Sequence, residues 1–154
     1  MRIFKCSKED FDQIICEITE FWRSDRTLYL HHPMFIYEFG NTAYVIKEGE
    51  KVIGYLLGFI SQTEPTAYVH LIGIRRSHQR RGLGRLLYDH FISYARKKGC
   101  KTIKAITTHT NLDSIAFHKS IGMELLGSLN EEGIPVVKDY GGPGRDRVVF
   151  RKRI

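Results

Sequence analysis

Between Ala67 and Leu87 the chain reads A-Y-V-H-L-I-G-I-R-R-S-H-Q-R-R-G-L-G-R-L-L, and no other stretch restricts the fold as much. Tyr68, Val69, Leu71, Ile72 and Ile74 have the β-branched and aromatic character of a buried strand. Gly73 inside that run predicts a bulge or the close approach of another backbone. Leu83, Leu86, Leu87, His90, Phe91 and Tyr94 then recur at helical spacing. The order is strand, arginine-rich turn, helix. The first turn of a helix carries amides with no intrahelical acceptor and the positive end of the helix dipole, so an anion is favoured there. Gly82 and Gly84 let a phosphate approach the backbone, and Arg80, Arg81 and Arg85 bring positive charge to the rim.

The spelling of the turn excludes the two commonest phosphate loops. No Gly-Lys-Ser/Thr occurs, and the third glycine of a dinucleotide fingerprint would fall at Leu87. What remains is Q-x-x-G-x-G from Gln79 to Gly84 after an apolar strand. It resembles the acetyl-CoA-binding motif of the GNAT superfamily, the GCN5-related N-acetyltransferases. A second segment, N-L-D-S-I-A-F-H-K-S-I-G-M from Asn111 to Met123, resembles the other GNAT motif, N-x-x-A-x-x-[FL]-Y-x-x-x-G-F, at the expected distance. The two motifs cover roughly a third of the chain.

The rest of the chain gives elements in a compatible order. A short strand over 1–5 precedes a helix opened by Ser7 and Asp10 as a capping box, with Phe11, Ile14, Ile15, Ile18, Phe21 and Trp22 on one apolar face. Residues 23–41 are irregular. Strands over 42–47 and 52–62 flank a turn at Glu48-Gly49-Glu50-Lys51 and should pair antiparallel. The helix after the basic turn closes near Gly99, and a strand over 101–107 should lie parallel to the central one because a helical crossover precedes it. Asn111 caps a helix that Gly122 stops, and strands over 124–128 and 148–153 end the chain. The expectation is one α/β domain over residues 1–154 with a mixed sheet. The resemblance makes it the acyl-CoA N-acyltransferase fold: a mostly antiparallel sheet, a splayed parallel pair and flanking helices.

Charge and cysteine content narrow the partners. The formal net charge of +7 suits nucleic acid, a membrane surface or an anionic small ligand. Part of it sits between Arg75 and Arg85, assigned above to the phosphate turn, and part between Arg145 and Arg153, where alternation with apolar residues suits the solvated face of a strand. Three cysteines without C-x-x-C suggest neither a disulfide framework nor a zinc site, and the histidines lack ligand spacing, so no metal is expected. Neither a bilayer-spanning run nor a signal peptide is read, and a cytoplasmic location is expected.

The resemblance implies acetyl transfer from acetyl-CoA, as co-substrate, to a primary amine of a small molecule or amino-acid derivative, by direct attack in a ternary complex. The pantetheine arm would pair with the backbone around Ile72, Gly73 and Ile74, the diphosphate with Gln79, Arg80, Arg81, Gly82, Leu83, Gly84 and Arg85, and Asn111 would contact the arm. The Ile74 amide would polarise the thioester. His70, at a position where serotonin N-acetyltransferase has histidine, is the candidate base. It should share a face with Ile72 if no bulge intervenes. His118 replaces the tyrosine that the family uses as general acid, and three readings stay open: His118 is the acid, a group such as Tyr140 takes over, or solvent does. Tyr29, Phe35 and Tyr140 are candidate acceptor walls, and a homodimer is possible. Competing readings are a non-catalytic acetyl-CoA sensor and, less well supported, a basic nucleic-acid-binding domain.

Overall fold

A computed structural model describes all 154 residues. Seven strands form one sheet in the order β1-β2-β3-β4-β5-β9-β6, with β1 Ile3–Lys5, β2 Ala43–Glu48, β3 Lys51–Ile60, β4 Thr66–Ile74, β5 Thr102–Thr107, β6 Glu124–Leu125 and β9 Val148–Arg153. Every neighbouring pair is antiparallel except β4 and β5. Between β6 and β9 lies a separate hairpin of β7 Ser128–Leu129 and β8 Pro135–Val136. The strand expected over 124–128 is therefore cut short. Gly127 takes φ +92, and a Cβ there would lie 2.0 Å from the Val136 carbonyl oxygen, so the chain turns out of the sheet into the hairpin.

Helices cover both faces. The capping box is present: the Ser7 side chain accepts from the Asp10 amide, and the Asp10 carboxylate accepts from the Ser7 amide. The single helix expected from Phe11 to Trp22 is two, α1 Lys8–Cys16 and α2 Ile18–Trp22, broken at Glu17. Glu17 there reaches Arg75, whose Nε also donates to the Val52 carbonyl at 2.9 Å and whose guanidinium lies over Phe21. Arg75 is thus a buried brace and does not belong with the phosphate turn. These helices and the short α3 Met34–Tyr37 cover a core of twelve buried residues that includes Phe11, Ile14, Phe35 and Leu71.

The larger core lies on the other face, under α4 Leu83–Lys97 and α5 Leu112–Ser120. Leu83, Leu87, Phe91 and Ala95 recur every four residues along α4 and are buried. Burying side chains of this size is worth about 1.5–3 kcal/mol each against exposure, which is why the four-residue apolar repeat fixes the helix face. The three cysteines are unpaired. No helix is long and apolar enough to cross a membrane.

One irregularity decides the geometry of the central strand. Against β3, β4 pairs Leu71 with Leu57 and Val69 with Gly58, leaving His70 as the extra residue of a bulge. The bulge is therefore at His70 and not at Gly73. Gly73 is required instead by a ring: a Cβ there would lie 2.6 Å from Tyr55 Cε1. Side-chain alternation flips at the bulge, so Ala67 and Val69 before it, and Ile72 and Ile74 after it, all pack toward the α4 core. His70 faces the other way and stacks on Phe35, centroids 4.7 Å apart. The expectation that His70 shares a face with Ile72 fails for this reason.

Candidate active site

The parallel pair β4/β5 is joined only as far as Val69 and Ala105, while β5 continues to Thr107 alongside β9. Beyond that point β4 keeps only β3 as a neighbour. The Arg75 amide donates to the Ile53 carbonyl at 2.8 Å, which makes Gly54/Ile74 a non-hydrogen-bonded pair. The amide of Ile74 therefore points away from β3, toward the gap left by β5, and Ile72, paired with Leu56 two residues back, has the same orientation. A parted strand edge with unclaimed backbone groups is a template for an extended ligand.

At the end of β4 the chain turns through Arg76–His78 into α4. The Gln79 amide nitrogen Nε2 donates to the Ile74 carbonyl at 3.2 Å, closing the turn. Arg80 and Gly82 take φ +61 and +77, and no backbone amide from Arg80 to Arg85 donates within the protein; the first to do so is Leu86, to Gly82 at 3.0 Å. Six consecutive unclaimed N–H groups at the start of a fifteen-residue helix form an anion nest. The Arg80 and Arg81 side chains are exposed beside it, and the Leu83 side chain is in the core. Arg85 is also exposed, yet its guanidinium donates to the Ser120 carbonyl at 3.1 Å and ties down the end of α5.

The two glycines of the turn have different work. Gly82 meets nothing within 4 Å, so its backbone angle is what calls for glycine. Gly84 faces Phe117, whose Cζ would lie 2.9 Å from an added Cβ, and so lets α5 pack against α4. Asn111 caps α5, its Oδ1 accepting from the Ser114 amide at 3.2 Å.

On the opposite face of the sheet a cavity of about 680 Å³ opens beside the parting strands. Tyr29, Phe35 and Tyr140, read from the sequence as acceptor walls, all line it, together with Tyr68 and His70. Tyr140 is delivered by a loop folded on itself: Asp139 Oδ1 accepts from the Gly144 amide at 2.7 Å and Asp146 Oδ1 from the Asp139 amide at 3.0 Å. His70 Nε2–H donates to the Leu30 carbonyl at 3.1 Å, leaving Nδ1 with the lone pair and no protein partner. Burial lowers its pKa from the ordinary 6.5, opposed by the bond to Leu30, so the ring is neutral at neutral pH.

His118 is placed very differently. It is 3% exposed, stacked on Phe150, and absent from the cavity. Its Nδ1–H donates to the Ser114 carbonyl at 2.7 Å and its Nε2 accepts from the Tyr88 hydroxyl at 2.7 Å. Burial pushes its pKa down to about 4 against the bond to Ser114. An imidazole so held is deprotonated at Nε2 near neutral pH, which argues against the general-acid role expected from its position in the motif.

The sequence reading missed Tyr88, whose hydroxyl faces His118, and Glu64 and Lys104, which line the cavity as an ion pair at 3.2 Å. It also missed the part played by His31, whose Nδ1–H donates to the Thr27 carbonyl at 2.8 Å while Nε2 accepts from the Tyr55 hydroxyl at 2.7 Å. Helical periodicity did not single out Tyr88, and the other contacts join residues far apart in the chain.

Known proteins agree with this architecture. The structure resembles Ard1 from Thermoplasma volcanium, with a TM-score of 0.76 at 17% identity over 99% of this chain and 97% of that one. It also resembles Chaetomium thermophilum Naa20, solved with a bisubstrate analogue, with a TM-score of 0.74 at 20% identity over 100% and 87%. In sequence, the L-2,4-diaminobutyric acid acetyltransferase of Shouchella clausii (strain KSM-K16) is 30% identical over 84 residues, 54% of this chain and 47% of that protein, so the match spans about half the relative's length. A family model described as "Acetyltransferase (GNAT) family" matches residues 8–123. With that match laid over the parted strands and the amide nest, the chain belongs to the GNAT acetyltransferase family.

Proposed function

We propose that the protein is an acetyl-CoA-dependent N-acetyltransferase acting on a primary amine of a small molecule or amino-acid derivative. The observation that carries this reading is the run of unclaimed amides from Arg80 to Arg85, set at the end of a strand whose neighbour has parted from it. These residues fit a diphosphate with an extended arm. The nest would hold the diphosphate, the backbone of Ile72 and Ile74 the arm, and the amide group of Asn111 would add a contact. Acetyl-CoA, when bound, supplies an acetyl group as a thioester.

The acceptor enters from the cavity on the other face. An alkylamine with a pKa of about 10.4 arrives protonated and must lose a proton before it can act as nucleophile. His70 Nδ1 is the group that takes it: its lone pair is unclaimed, Nε2–H anchors the ring to Leu30, and stacking on Phe35 holds the plane. For the proton returned to the leaving sulfur we assign the phenol of Tyr140, which lines the same cavity, in place of the buried His118. The curated relative's name, an acetyltransferase of a diamino acid, supports an amino-acid-like acceptor.

The loss of a proton donor at His118 also favours a second reading, a sensor that binds acetyl-CoA without turnover. Calorimetry with acetyl-CoA, followed by thiol detection of released CoA across a panel of amines, separates the two. Binding with amine-dependent CoA release supports the enzyme, and binding without release from any amine supports the sensor.

A further inference from the structure

The cavity carries charges that an aromatic wall for a simple monoamine does not need. On β4, Thr66, Tyr68 and His70 face the cavity, and on β5 Lys104 is in register with Tyr68 and Thr102 with Thr66. The two threonine hydroxyls lie 2.5 Å apart and are occupied with each other. Lys104 therefore stands one strand over from Tyr68, two residues along from His70, a step of about 7 Å. Its Nζ reaches Glu64 Oε1 in the β3–β4 turn at 3.2 Å, with the lysine side chain 20% and the glutamate side chain 53% exposed. An ion pair this open to water is held weakly and can be exchanged for a ligand's charge.

We propose that Lys104 and Glu64 recognise the head group of the acceptor. Lys104 takes a carboxylate, Glu64 takes the ammonium that does not react, and the second amine is turned toward His70. The acceptor class is a small diamino carboxylic acid. A polyamine is disfavoured, because Glu64 is the only carboxylate lining the cavity and the Lys104 ammonium beside it repels a further positive charge. An amine without a carboxylate leaves Lys104 without a ligand partner. This deepens the acetyltransferase reading and rests on it.

The experiment compares 2,4-diaminobutyrate with 1,3-diaminopropane, which lacks the carboxylate, in the wild type, Lys104→Met and Lys104→Arg. Wild type should favour the diamino acid in kcat/KM by about ten- to hundredfold, the worth of one charged hydrogen bond. Lys104→Met should erase that preference through KM, and Lys104→Arg should restore most of it. A preference that survives in Lys104→Met, or is absent in wild type, overturns the assignment. A second arm needs no turnover: calorimetric binding of 2,4-diaminobutyrate in the presence of CoA should be present in wild type and at least tenfold weaker in Lys104→Met. Equal binding in both, or none in wild type, rejects the head-group site. Binding that depends on Lys104 while no amine releases CoA keeps the site and rejects the transferase.

Discussion

The imidazole of His118 lies flat on the ring of Phe150, centroids 4.2 Å apart and planes 10° from parallel, so α5 is fastened to β9 through this side chain. The same ring engages Ser114 on its own helix and Tyr88 on α4. One residue thus joins two helices and a strand at the centre of the larger core.

Stability should fall with pH through this histidine. Its pKa is about 4 in the folded protein against the ordinary 6.5, so between those values the unfolded chain binds a proton that the folded chain refuses. The stabilisation is complete above about pH 6.5, shrinks as pH falls and is gone below about pH 4, a span worth about 3 kcal/mol. Denaturant unfolding at pH 7.5 and 4.5 should show a steeper loss in wild type than in His118→Phe, and parallel losses would contradict the burial effect. Turnover per folded molecule in His118→Phe should fall less than the roughly 10²-fold expected on removing a general acid.

The glycines of the basic turn should separate in their effects. Gly82→Ala forces a Cβ into the left-handed region at a cost of about 1–2 kcal/mol and disturbs the amide nest, so acetyl-CoA affinity by calorimetry should drop more than stability. Gly84→Ala pushes on Phe117 and should cost about 1–3 kcal/mol as overpacking, with a lowered melting temperature as the main readout. The reverse ranking would mean that Gly84, and not Gly82, shapes the phosphate turn.

Much of this was legible in the sequence because it is local. A strand, a turn with two glycines and a four-residue apolar repeat announce themselves within about thirty residues, and Asn111 as a cap needs only its neighbours. The orientation of His70 was not legible. Period-two alternation predicts its face, and a single extra residue against β3 reverses that alternation. The pairing of Gly84 with Phe117 and of Glu64 with Lys104 joins residues more than thirty positions apart, and no periodicity marks such contacts. His118 was conspicuous by its place in a motif, while its burial depends on Tyr88 and Phe150, which lie on other elements.

The pH profile of turnover should report His70. Burial lowers its pKa, so the base is in its working form at neutral pH and is lost only as pH falls below the ordinary histidine value. The acid limb of kcat, measured at saturating acceptor, should therefore lie below pH 6.5. His70→Gln should lower kcat by about 10²- to 10⁴-fold and remove that limb, leaving acetyl-CoA affinity in place. A limb that persists in His70→Gln would assign the titration to another group.

The acceptor wall is pinned by a chain of hydrogen bonds that starts far from the cavity. Trp22 Nε1 donates to the Tyr55 hydroxyl at 2.6 Å, the hydroxyl donates to His31 Nε2, and His31 Nδ1–H donates to Thr27. Tyr55 packs its ring against Gly73 on the central strand, so the chain ties residues 22–31 to β4, and Tyr29 and Leu30 of the cavity lie within that segment. Tyr55→Phe keeps the ring but leaves the Trp22 donor and the His31 acceptor without their partner, at about 1–3 kcal/mol for each buried group. Because His70 also leans on the Leu30 carbonyl, the loosened wall should raise the acceptor KM severalfold and shift the acid limb, with acetyl-CoA affinity unchanged. If KM for the acceptor stays at the wild-type value while stability falls, the wall is held by its apolar contacts alone and the hydrogen-bond chain serves only the core.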